Sequence, residues 1–146
     1  MKNDFRILTA CCLAMIAALM VVGAVSHGVL RHIVQTSALW IAIVLGIRRS
    51  ASTKWAALPC FVFWLLLMTA IWLYLLGWAQ FLSGRFSPTE IAMTLVVGLA
   101  TIAGIVKTVG MSSGVRTWSA IVTMLLVAVF QLAVFRLSFL PQIAHR

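Results

Sequence analysis

The sequence predicts an all-α integral membrane protein, a compact bundle of five transmembrane helices, and three observations carry that expectation. Hydrophobic residues fill 64% of the 146 positions and charged ones only 9%, against about 45–50% and about 25% in an ordinary soluble domain. A chain of this composition could not cover its own surface with polar groups. Uncharged apolar runs recur at close to the ~20 residues that a helix needs to cross a bilayer. The cations, finally, stand singly or in pairs at the ends of those runs rather than along one polar face. The whole of 1–146 reads as one polytopic domain.

The first span covers 7–25 (ILTACCLAMIAALMVVGAV) and holds no charge. Its start, MKNDFRI, and the small residues Val22-Gly23-Ala24 resemble a secretion signal with a cleavage site. The apolar run exceeds the usual core of about 7–15 residues and four more spans follow, so an uncleaved helix is expected. Leu8-Thr9-Ala10-Cys11 has the form of a lipoprotein cleavage box, but no hydrophobic core precedes it. The second span, 29–47, opens on the polar Arg31, His32 and Gln35 and is the weakest. The alternative is four spans, with this one a re-entrant or interfacial segment.

Positive charge arbitrates, because cytoplasmic loops are enriched in Lys and Arg. Five spans put Lys2, Arg6, Arg48, Arg49, Lys54, Lys107 and Arg116 on one side, against Arg31, Arg85, Arg136 and Arg146 on the other. Four spans split the same cations almost evenly. Five spans with a cytoplasmic N-terminus are therefore expected.

The third span, 55–82, carries Trp64, Trp72, Tyr74 and Trp78 on most of its faces. A helix this thick is expected at the periphery, against lipid or a partner subunit, with Trp55 and Trp78 at headgroup level. The fourth, 88–109, begins at Ser87-Pro88-Thr89-Glu90. This is a capping box, with Ser87 at N-cap, Pro88 at the first helical position and Glu90 at the third. Ala92, Val96, Ala100, Gly104 and Thr108 recur every four residues along it, and Ala10, Ala14 and Ala18 along the first span. Small residues let membrane helices approach closely, so these two stripes are expected at the centre of the bundle. The fifth span, 117–136, is closed by Arg136.

Little in the chain points to chemistry. The only acidic residues are Asp4 and Glu90. No carboxylate lies at mid-depth of a span and Glu90, at the start of the fourth, is absorbed by the cap, which disfavours a proton- or cation-coupled transporter. Cys11, Cys12 and Cys60 lack the spacing of a zinc site and read as small buried hydrophobes. Gly110 to Gly114, between Lys107 and Arg116, lacks the ending of a phosphate-binding loop and reads as a flexible connector. No metal, cofactor or nucleic-acid partner is expected, and no enzymatic activity.

One cluster stands apart: His27, Arg31, His32 and Gln35, with Thr36, where the first span turns into the second. His32, Gln35 and Thr36 share a helix face. Such a cluster could hold an anionic headgroup, a metal or a haem. A metal wants three or four ligands, and only His145 could add an imidazole. The favoured expectation is an interfacial turn, with Ser26 and Gly28 breaking the helix and the basic groups facing water.

For function, the expectation is a small interaction or assembly component of a membrane complex, meeting a protein partner or a second copy through helix packing. The alternative is an oligomeric transporter or channel for a neutral or lipid-like solute, with Thr94, Thr101, Thr123 and Trp72 lining its cavity. A headgroup-directed enzyme using His27, Arg31 and His32 ranks third. A bacterial inner membrane is the simplest setting.

Overall fold

In hydrocarbon every backbone N–H and C=O must find a partner within its own segment, so an apolar run closes into a helix. The computed structural model describes residues 2–78 and 86–144. They form five long helices, α1 (Lys2–Val25), α2 (Val29–Ile47), α3 (Thr53–Leu75), α4 (Pro88–Gly110) and α5 (Thr117–Leu137), then a single turn, α6 (Pro141–Ala144). Each of the five is long and apolar enough to cross a membrane. No strand occurs among the described residues.

Four helix starts and ends agree with the expected spans to within a few residues; the third does not. Rather than running on to 82, α3 ends at Leu75, because Gly77 takes φ 76° and closes a Schellman motif. The Gly77 N–H donates to Tyr74 O and the Trp78 N–H to Leu73 O, which occupies the last orphan carbonyls. Positions 79–82 of the expected span lie outside the described residues. The ends of α1 and α2 use the same motif with non-glycine residues in the left-handed position, His27 at φ 55° and Arg49 at φ 51°.

The core is built on a seven-residue rhythm. On α1 the buried positions include Phe5, Leu8, Cys12, Met15 and Leu19, and on α4 they are Thr94, Val97, Thr101, Gly104 and Thr108. Spacings of three and four alternate, as in a left-handed coiled coil. The threonines serve as small packing residues because each hydroxyl donates to a carbonyl of its own helix, Thr94 to Ile91 O, Thr101 to Gly98 O and Thr108 to Ile105 O. This corrects the expected four-residue stripes. α1 and α4 do pack together, but Ala10, Ala92 and Val96 are exposed, and only Ala18, Gly104 and Thr108 of the two stripes are buried.

The placement of α3 is corrected as well. It is an inner helix, packed against α2, α4 and α5. Phe61 and Trp64 are almost wholly buried. Bulk is accommodated because Gly104 on α4 opens a slot for the Phe61 ring; a Cβ on Gly104 would lie 2.5 Å from Phe61 Cε2.

At the end of the bundle that holds the N-terminus, Asp4 on α1 meets Lys107 on α4 at 2.7 Å. The Gly110–Gly114 connector is tied down rather than loose. Lys54 Nζ donates to Met111 O and Trp55 Nε1 to Ser113 Oγ. Lys54 also lies 4.7 Å from the Trp55 ring centroid. Trp55 therefore acts as a loop clamp at this end.

Candidate functional site

The opposite end, where α1 turns into α2, holds the polar groups. Gly23 lets the two helices meet closely: a Cβ there would lie 3.0 Å from Val29 Cα and 3.2 Å from His32 Nδ1. α2 then starts at Gly28 with no side-chain cap. His32 Nδ1 donates back to Gly28 O at 2.9 Å, which fixes the ring against the turn and leaves Nε2 as its remaining polar atom.

Gln35, one turn further, reaches across to the end of α5. Its Nε2 donates to Ser138 Oγ at 3.0 Å, and the Ser138 hydroxyl donates to Phe135 O. From α5, Gln131 Nε2 donates to Gln35 O at 3.4 Å. His32, Gln35, Thr36, Gln131 and Ser138 are all buried. The expected face of α2 is real, but it points into the bundle instead of into water. Polar contacts between helices hold the pair in register.

Arg31 is only partly covered, yet its Nε is buried and has no hydrogen-bond partner. Its guanidinium carbon lies 5.8 Å from the Phe139 ring centroid. It sits in the first turn of α2, at the positive end of that helix dipole, where a cation is disfavoured and an anion is attracted. His27 separates from the other three. It is exposed and its job is to end α1. A left-handed histidine is strained by about 1 kcal/mol relative to glycine. His27→Gly is thus expected to raise thermal stability in detergent by about that amount; an unfolding midpoint that does not rise would show that the left-handed histidine carries no strain.

Arg31, His32 and Gln35 form one rim of a cavity of about 310 Å³ that reaches between the helices. Glu90 of α4 belongs to the same cavity. The expected capping box is present: the Ser87 N–H donates to Glu90 Oε2 at 2.7 Å and the Glu90 N–H to Ser87 Oγ at 3.2 Å. Capping does not remove Glu90 from the site, however, because the same carboxylate lines the wall. Below the polar rim the lining turns apolar, with Leu67, Met68, Met93 and Val97. Phe86, Phe135 and Phe139 flank the mouth, where Phe139 is 54% exposed.

Trp64 also lines this cavity, and its Nε1 is a second buried donor with no partner. At ~1.5 Å per residue, Arg31 lies about 3 Å and Trp64 about 16 Å from this end of the bundle. The lining is charged and polar at the rim and apolar below.

Of the threonines expected to line a cavity, Thr94 lines this one, and its hydroxyl, like those of Thr101 and Thr123, donates to its own helix. Trp72 is not on the wall. Sequence reasoning missed Trp64, Gln131 and Ser138. A glutamine within each of two apolar spans was the available signal for the Gln35–Gln131 contact. Among the described residues no three His, Cys, Asp or Glu side chains are grouped so as to hold a metal ion. No protein-family model matches the chain, and neither does any curated protein or solved structure.

Proposed function

We propose that the chain is a multi-pass protein of a bacterial inner membrane that binds a lipid-like amphiphile whose head carries an anionic group, taken into the cavity between its helices. With the N-terminus in the cytoplasm, as the distribution of Lys and Arg favours, the mouth opens at the outer leaflet. The observation that carries the proposal is the convergence of Arg31, His32, Gln35 and Glu90 with apolar side chains of α3 and α4 on one cavity, two of whose lining residues, Arg31 and Trp64, also keep a buried donor without a partner. A buried polar group without a partner is costly, and a ligand with an anionic head and acceptor atoms would relieve that cost. This is the lipid-like-solute alternative, applied to the single chain.

A second reading, association with another helix, is favoured by Gln131. Its Oε1 is buried without a partner, and the residue lines an α3–α5 groove of about 340 Å³.

Native mass spectrometry from mild detergent separates the two. The amphiphile reading expects a monomer carrying a lipid-mass adduct. Met93→Trp, which fills the half-buried α4 wall, is expected to lower adduct occupancy at least about tenfold, since displacing a ligand tail forfeits its apolar burial. A protein that carries no adduct from any lipid would sink the amphiphile reading. A strict monomer would sink the association reading.

A further inference from the structure

We infer that the head group held by this cavity is zwitterionic, an anionic phosphate joined to a primary ammonium, as in a phosphoethanolamine lipid. The inference rests on the amphiphile reading and narrows it. Arg31 on α2 and Glu90 on α4 line the same cavity from different helices. Among the described residues neither takes part in an ion pair; the pair that is present, Asp4–Lys107, lies at the other end of the bundle. Arg31 and Glu90 thus present opposite charges to one cavity from two helices without bridging each other.

Each has bonding capacity left. The Arg31 Nε has no partner, and the planar guanidinium fork matches phosphate oxygens. Glu90 gives Oε2 to the Ser87 N–H, which leaves Oε1 as an acceptor. A purely anionic head would satisfy Arg31 and be repelled by Glu90, and a purely cationic head would do the reverse. A head carrying both charges satisfies both walls at once.

The ammonium is primary because a carboxylate oxygen needs an N–H donor. A quaternary ammonium would turn instead to ring faces, and the rings at the mouth already have partners, Phe139 in Arg31, Phe86 in Tyr74 at 6.0 Å, and Phe135 in Phe63 and Phe139 at 5.0 and 5.1 Å.

The test uses the full chain in detergent micelles, exposed in turn to phosphatidylethanolamine, phosphatidylglycerol and phosphatidylcholine of matched acyl chains, with adducts read by native mass spectrometry. Phosphatidylethanolamine is expected to be retained about tenfold better than either of the others, the ratio that one charge-assisted hydrogen bond supplies. Glu90→Gln is the decisive variant. Glutamine also serves at the third position of a capping box, so the start of α4 is kept while the charge is lost. It should lower phosphatidylethanolamine retention about tenfold and leave phosphatidylglycerol unchanged or improved. Equal retention of ethanolamine and glycerol lipids by the wild type overturns the inference, as does an ethanolamine-to-glycerol ratio that Glu90→Gln leaves unaltered. Choline lipid bound as well as ethanolamine lipid overturns it too. In those three cases the amphiphile reading survives. Absence of every adduct removes both.

Discussion

Gly104→Ala is expected to destabilise the bundle by about 1–3 kcal/mol, and Gly104→Leu to prevent α4 from docking on α3. A Cβ on Gly104 would sit 2.5 Å from Phe61 Cε2, 2.6 Å from Cζ and 2.8 Å from Cδ2. Real side chains do not approach so closely, and Phe61 has no room to retreat because it is fully buried in the core. The backbones must therefore separate, and the closely packed helices they carry lose dispersion contacts along the seam. Thermal unfolding in detergent measures the loss. Phe61→Leu removes the outer ring atoms and should recover much of the stability of Gly104→Ala, although alone it costs about 1 kcal/mol or more as a cavity mutation. A double-mutant cycle isolates the coupling. Additive effects at the two positions would show that the slot is not what joins α3 to α4.

Arg31→Gln is expected to weaken amphiphile retention about 10- to 100-fold, because a hydrogen bond to a charged group is worth about 1.5–3 kcal/mol. Stability should change little. The Arg31 side chain is only partly buried, and its Nε makes no hydrogen bond that would be lost. Arg31→Lys keeps the charge but not the planar fork and should fall in between. The readout is adduct occupancy across a lipid titration, with the unfolding midpoint followed in parallel. An Arg31→Gln protein that binds within threefold of the wild type would mean that the head does not sit on Arg31.

Helix number and position were legible in the sequence because they follow from the apolar runs themselves. The one large misjudgement, α3 running on to 82, turned on Gly77, whose left-handed φ closes the helix within a run that remains apolar. The capping box at Ser87–Glu90 was legible for a similar reason: each partner lies three residues from the other, and no distant contact is involved.

Which faces are buried was far less legible. Alanine and glycine every four residues along α4 suggested one seam, while the buried seam runs through Thr94, Val97, Thr101, Gly104 and Thr108. In an aqueous protein the polar face of each helix marks its outside. In these five helices the outward faces are as apolar as the buried ones, as lipid as a solvent would allow, so hydropathy does not separate the two faces. The bulk of α3 misled in the same way, since whether a large ring faces outward or fills a slot depends on the residue opposite it. For Phe61 that residue is Gly104, on another helix.

The candidate cluster divides along this line. That His27, Arg31, His32 and Gln35 gather at one turn is a matter of chain order, and so is the common face of His32 and Gln35. That His27 only ends a helix, that Gln35 meets Ser138 across the bundle, and that Arg31 and Glu90 face one cavity were decided by the tertiary packing. By itself the sequence determined five apolar helices, their polar ends and the cap at Glu90, because lengths and caps are local. Only the packing decided that Glu90, already accounted for as a cap, also stands across a cavity from Arg31. Proximity between α2 and α4 is set by shape complementarity along several helices at once, and no local pattern encodes that.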